Sequence, residues 1–323
     1  MNRSDYAYSV AYVRAIESKL LTPSDIESLI GAKTTADALR ILSDKGYGAD
    51  ISDRNFEAAL TRAYRKCFDE ISEIAPKDAP LDVLLYKNDF HNLKVVLKGV
   101  RLGVRDYENY IITPATCDWE SLITGAVNGD FDNFPIMLKD TAAKAYDILG
   151  RTGDSQLCDT LVDRASMDYA LDEAVRSKNE FMIGLTTLTN TLTDIKIAAR
   201  CALTGKDRDF ADMAISSKPD LSRDELIKSA ASGLGALCEY LSGAGYGDAA
   251  SALGISVADY EKYADNTIND YMKNAKYITM GIEPLISYIR SKENEIQSVR
   301  IIISAKQNGI DEEKIRKRLR KVI

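Results

Sequence analysis

The chain has 323 residues, 45% of them hydrophobic and 28% charged, with seven prolines and nineteen glycines, a composition of a globular protein with long uninterrupted helical stretches and not of a disordered one. Its formal charge of −7 and pI near 5.1 exclude a nucleic-acid binder that works through a concentrated basic face. The five cysteines, Cys67, Cys117, Cys158, Cys201 and Cys238, are odd in number, widely spaced and contain no Cys-x-x-Cys pair, which reads as reduced thiols of a cytosolic protein rather than a disulfide framework or a zinc site.

Tyr6, Val10, Val13 and Leu20 fall at helical spacing, so the chain opens on a helix that Pro23 is expected to stop, with Ser24 placed to cap the next. Arg3, Asp5, Arg14 and Glu17 interrupt that helix with charge, so no N-terminal signal is expected. Asp25-Ile26-Glu27-Ser28-Leu29-Ile30 then recurs as Asp118-Trp119-Glu120-Ser121-Leu122-Ile123, and with two residues missing as Asp224-Glu225-Leu226-Ile227. Glycine clusters follow at 46–48, 150–154 and 245–247, where they are expected to stop helices by adopting the left-handed conformation.

Each copy ends on a matching segment, NLKVVLKGVRLG at 92–103, DIKIAARCALTG at 194–205 and SVRIIISAKQNG at 298–309. The three align without a gap, so Leu93, Ile195 and Val299 are equivalent, as are Lys94, Lys196 and Arg300, and Gly103, Gly205 and Gly309. Apolar stripes continue the match: Leu93, Val96 and Val100; Ile195, Ala199 and Ala202; Ile296, Val299 and Ile303. A period of about a hundred residues exceeds the units of roughly 20–50 residues that stack into common solenoids, so the chain reads as three domain-sized helical copies at 1–110, 111–210 and 211–323. Helix 1 and the tail after Gly309 lie outside the repeat, in position to lace the ends together. No segment alternates with period two, so the fold class is all-α. The uncharged stretch 181–193 is too short to cross a bilayer, which takes about 20 residues.

Catalytic constellations are missing. His91 is the one histidine, no Gly-x4-Gly-Lys-Ser/Thr loop occurs, no Gly-x-Gly-x-x-Gly opens a helix, and the carboxylates are dispersed as on solvated helix faces. No cofactor or metal is expected. Two cationic features stand out. Lys94, Lys196 and Arg300 are candidates for partner contact, with Lys98 and Arg200 one turn further on; they line a basic funnel or pair with acids between copies. Lys314, Arg316, Lys317, Arg318, Arg320 and Lys321 surround Ile315, Leu319 and Val322 after the acidic start 311–313, either to suit the helix dipole or to meet an acidic partner or anionic headgroups.

The run Gly281-Ile282-Glu283-Pro284-Leu285-Ile286-Ser287-Tyr288-Ile289, with 292–296 and Arg300-Ile301-Ile302, resembles the C-terminal signature of the rotary V/A-type ATPase component known as C in prokaryotes and d in eukaryotes. Tyr8, Ala11, 13–15 and 17–21 look like the opening helix of the same family, and the resemblance extends over essentially the whole chain. It implies a pseudo-threefold funnel of three helical domains, non-catalytic, seated on the cytoplasmic face of the membrane proteolipid ring. Such a funnel receives the foot of the central shaft and couples ATP hydrolysis or synthesis to proton or sodium translocation. The alternatives are a general helical scaffold for a cytosolic partner and an enzyme with an unrecognised carboxylate site.

Overall fold

The computed structural model describes residues 3–104 and 106–321, and every regular element among them is helical. The first copy contains α1 (Ala7–Ile16), α2 (Pro23–Gly31), α3 (Thr35–Leu42), α4 (Phe56–Ile74) and α5 (Tyr86–Leu102). The second contains α6 (Trp119–Asn128), α7 (Ile136–Thr152), α8 (Ser155–Ser177) and α9 (Glu180–Thr204). The third runs through α10 (Arg208–Ala214), α11 (Arg223–Ser232), α12 (Leu234–Gly243), α13 (Gly247–Ile255), α14 (Val257–Met272) and α15 (Glu283–Gln307), followed by α16 (Glu312–Arg318). The all-α expectation holds. None of the described helices is long and apolar enough to cross a membrane.

The recurring motif begins a short helix each time, and its leucines Leu29, Leu122 and Leu226 are all buried. Its aspartate does not keep one job. Asp25 is the third residue of α2 and closes a reciprocal capping box with Thr22, whereas Asp118 is itself the N-cap of α6. The cap of α2 is therefore Thr22, not Ser24, and Pro23 opens that helix at its first position, where a missing N–H costs nothing and the fixed φ is already helical. The preceding helix has turned to a 3₁₀ stretch and ended at Leu20.

The glycines stop helices as their pattern predicts. Gly46 and Gly245 share φ +90°, Gly153 has +68°, and the equivalent Gly103, Gly205 and Gly309 lie at +69°, +63° and +63°. After each of the last three, the next N–H reaches back to the carbonyl of Gly99, Cys201 or Ala305, which satisfies an orphan carbonyl of the helix end.

Leu93, Ile195 and Val299 are each completely buried, and the helices carrying them reveal how the copies are used. In α5, Phe90, Leu93, Val96 and Leu97 join one core with Leu122, Ala126, Phe134, Leu138, Ala142 and Val162 of the second copy. In α15, Ile296, Val299, Ile302 and Ile303 join another with Leu29, Ile30, Leu39, Leu42 and Leu60 of the first copy. The helix α9 likewise packs on α11 and α12 of the third copy, as well as on α8 of its own. Each closing helix thus completes the core of the copy that follows it, in the order one to two, two to three, three to one.

The compact units of the molecule are divided accordingly, as Met1–Ala79 with Lys262–Ile323, and as Pro80–Glu261. The sequence begins again near 110 and 210, but those positions lie after the closing helices, which belong by packing to what comes next. In the first unit α1 and α16 both pack on α15, and α16 also on α2, so the two elements outside the repeat fasten the first copy to the last closing helix.

A fully buried leucine is worth about 1.5–3 kcal/mol of transfer free energy, and its removal leaves a cavity as well. Leu93→Ala should therefore lower the unfolding free energy by about 2–5 kcal/mol, whereas Leu102→Ala, on the exposed last turn of the same helix, should change it by less than about 0.5 kcal/mol. Urea denaturation of both variants measures the contrast.

Candidate interaction sites at the junctions between copies

The three equivalent cations are all ion-paired, each to a carboxylate on a long helix of the following copy. Lys94 of α5 meets Asp163 of α8 at 2.6 Å, with Lys98 on Asp159 at 2.8 Å one turn along. Glu261 of α14 takes Arg200 of α9 at 3.1 Å and Lys196 at 4.0 Å. Arg300 of α15 meets Glu57 of α4 at 2.9 Å. Of the two readings the sequence leaves open for these residues, pairing with acids between copies is the one these contacts fit. Pairs this open to solvent contribute roughly 0.2–1 kcal/mol each, so they orient the helices while the apolar cores hold them.

Stronger fastening lies on the buried side of the same helices. Asp89 of α5 is 1% exposed and accepts the N–H groups of Thr116 and Cys117 at 2.9 and 2.8 Å and the Thr116 hydroxyl at 2.8 Å. Asn92 donates to the carbonyl of Ile112 at 3.0 Å and accepts its N–H at 2.9 Å; Asn88 donates to the carbonyl of Pro114 at 2.8 Å; His91 Nε2 lies 3.0 Å from the carbonyl of Tyr110. The connector leading into α6 is thus gripped at four points by one helix. His91 is a structural contact, and burial pushes its imidazole pKa down.

Before α11, Asp194 of α9 accepts the Ser216 N–H at 2.9 Å and its hydroxyl at 2.6 Å, while Asp168 of α8 holds Ser217 in the same two-point way at 2.7 and 2.5 Å. Arg223 donates to the Ser216 carbonyl and to Asp212, and Arg164 to the carbonyls of Asp212 and Met213 and to the Ser217 hydroxyl. Before α2, Glu295 of α15 accepts the Leu21 N–H and the Tyr47 hydroxyl, both at 2.5 Å, and pairs with Lys292, whose ammonium also lies over the Tyr47 ring. Every junction is therefore latched by a buried carboxylate of the closing helix. The Gly-Tyr-Gly motif does not repeat this role: Tyr47 is buried in the latch, whereas Tyr246 reaches Asp220.

Sequence reasoning passed over Asn88, Asn190 and Asn294, although the gap-free register of 92, 194 and 298 extends back to them unchanged. All three amides donate to a backbone carbonyl, of Pro114, Met167 and Lys321, at 2.8, 2.9 and 2.8 Å. The basic residues near the end of the chain are largely neutralised within it. Lys314, Arg316 and Lys317 pair along α16 with Asp311, Glu312 and Glu313; Arg316 also meets Glu27; Arg320 and Lys321 meet Asp265 and Asp270. Ile315 is buried and Leu319 packs against the same core, while Val322 lies outside the described residues. Among the described residues, no group of His, Cys, Asp or Glu is arranged to hold a metal ion.

The sequence pattern of the ATP synthase (C/AC39) subunit family matches residues 9–318. The chain belongs to that family. It is 23% identical over 321 residues to the C subunit of the V-type sodium ATPase of Enterococcus hirae, covering 96% of each chain. To the C subunit of the A-type ATP synthase of Haloferax volcanii it is 26% identical, over 97% of this chain and 96% of that one. The equivalent protein of Halorubrum lacusprofundi is 25% identical, over 98% and 97%. The family resemblance read from 281–289 and the opening helix is thereby borne out, and membership brings with it an accessory, non-catalytic place in a V/A-type ATPase.

Within this family member, the latch at Asp194 has a pH signature. Burial raises its pKa from the ordinary 3.8 to about 6, with the Asp168 charge adding to the rise and the two Ser216 hydrogen bonds and Arg223 opposing it. An acid whose folded pKa exceeds its unfolded value contributes most below the unfolded value, and that contribution is lost as pH rises from about 4 through about 6. The ionised latch at neutral pH thus costs on the order of 3 kcal/mol relative to the protonated one. Asp194→Asn keeps an acceptor for the Ser216 N–H and a donor for its hydroxyl. The variant should be more stable than the parent at pH 7.5, and the difference should shrink towards zero at pH 4.5, as read from urea midpoints at the two pH values.

Proposed function

We propose that this chain is a rotor subunit of the central stalk of a V/A-type ATPase or ATP synthase, a socket that couples the central shaft to the membrane proteolipid ring. The observation that carries this reading is the family match along nearly the whole chain. ATP hydrolysis or synthesis elsewhere in the complex is thereby linked to proton or sodium translocation by the ring. The protein sits peripherally on the cytoplasmic face, held by its partners.

The three copies 1–110, 111–210 and 211–323 form, on this reading, a pseudo-threefold funnel around the foot of the shaft. Support comes from the junctions, where each closing helix enters the core of the next copy and the last enters the first. Torque needs a part that does not shear, and copies sharing cores through latched helices cannot slide without exposing buried carboxylates and apolar side chains. Lys94, Lys196 and Arg300 act as struts between copies and, where they remain open to solvent, as contacts for the shaft.

Affinity isolation of the chain from gently solubilised native membranes, followed by mass spectrometry, should recover shaft, proteolipid and nucleotide-binding subunits together; recovery of soluble partners alone would replace this reading with a general helical scaffold. The triple variant Lys94→Gln, Lys196→Gln, Arg300→Gln should weaken shaft capture while lowering stability by no more than about 3 kcal/mol, the ceiling for three exposed pairs. Unchanged shaft capture by the folded variant would remove these residues from the interface.

A further inference from the structure

The tail after Gly309 shares almost no residue types with the stretch after Gly205, yet it folds in the same register. A shift of 104 residues carries α10 (Arg208–Ala214) onto α16 (Glu312–Arg318) and the N-cap Asp207 onto Asp311. Ala211 and Ile315 coincide, and both are completely buried. Ile215 and Leu319 follow in extended backbone. The packing coincides too: α10 lies on the closing helix α9 and on α11 of the next copy, and α16 on the closing helix α15 and on α2 of the first.

Even the grips on the backbone are the same. Arg164 of α8 donates to the carbonyl of Met213, and Lys262 of α14 to that of Lys317. Asp168 of α8 accepts the Ser217 N–H at 2.7 Å, and Asn266 of α14 accepts the Lys321 N–H at 2.8 Å. Asn269 and Asn294 add two bonds to the Lys321 carbonyl, each at 2.8 Å. After α10 the chain runs on through the buried Leu221 to Ser222, the N-cap of α11. Before α2 the buried Leu21 and the N-cap Thr22 stand in the same places, but the chain reaches them from α1 and not from the tail. The connector of the third junction is therefore in two pieces, residues 311–321 and residues 20–22, with no peptide bond between them.

Beyond its tether to α15, the first piece is held by side-chain and backbone contacts alone. Ile315 and Leu319 are its apolar anchors. Arg316 meets Glu27 at 3.0 Å, Arg320 meets Asp265 at 2.7 Å and Lys321 meets Asp270 at 3.2 Å, on carboxylates 58, 43 and 47% exposed. Pairs this open to solvent are weakened by salt. We propose that residues 311–321 form a releasable clasp, which opens as one unit while α15 stays in its core, and whose opening loosens residues 20–31 at the start of the first copy. The second junction has no such freedom, because its connector is covalently continuous into α11.

Hydrogen exchange of the full chain, followed by mass spectrometry, tests this, since a segment that opens locally exchanges ahead of the core. Amides of 312–321 should exchange together and at least tenfold faster than those of 285–303 in α15. Salt at about 1 M, where the Debye length is about 3 Å, should quicken them several-fold. Ile315→Asp should speed exchange of 20–31 at least tenfold and leave 223–232 in α11 unchanged. Arg316→Gln with Arg320→Gln, which spares the buried anchor, should act in the same direction to a smaller extent. A peptide of sequence 311–321 added to the Ile315→Asp chain should restore slow exchange of 20–31 saturably, which relief of a general destabilisation would not do. The proposal is overturned if 312–321 exchange no faster than α15, if both variants leave 20–31 at the parent's rate, or if the peptide restores nothing.

Discussion

Burial of each closing helix in the core of the following copy is the constraint from which the rest of this molecule follows. A copy taken alone would leave the apolar stripe of α5, α9 or α15 facing water, and three large apolar residues, as on α5 and α15, are worth several kcal/mol. The stripe finds cover only in the next copy, so the copies are not separable beads. The division of the molecule into its two compact units reflects this, since α5 leaves the helices that precede it in sequence and α15 joins the helices that open the chain.

The polar contacts are arranged around that handover. Each closing helix carries ion-paired, partly exposed cations on one side and a buried carboxylate on the other, and the two do different work. The ion pairs of Lys94, Lys196, Arg200 and Arg300 are too solvated to hold much, but they set helix against helix. The carboxylates of Asp89, Asp194 and Glu295 are themselves buried and are satisfied by connector N–H groups, so breaking a latch leaves a desolvated carboxylate short of its donors. Their chemistry is not uniform. Asp194 sits near Asp168 and titrates within reach of neutral pH, whereas Glu295 is enclosed by Tyr47, Lys292 and the Leu21 N–H.

For the proposed role as a coupling part between a shaft and a ring, this construction has a mechanical logic. Shear between copies would pull a closing helix out of a foreign core and open a carboxylate latch at once. Stiffness of that kind comes from packing and from satisfied polar groups, and it requires neither a metal nor a disulfide.

The sequence by itself determined the all-helical class, the threefold repetition, the left-handed glycine stops and the family, because each is a local or periodic property of residue types. It also singled out the equivalent cations, though not their partners. Which acid meets Lys94 depends on which helix lies across from it, and periodicity says nothing about that. The same holds for the exchange of closing helices between copies. A repeat announces where similar text begins again, while the compact unit is decided by which apolar faces cover one another. Thr22 rather than Ser24 caps α2 because proline at the first helical position moves the boundary by two residues.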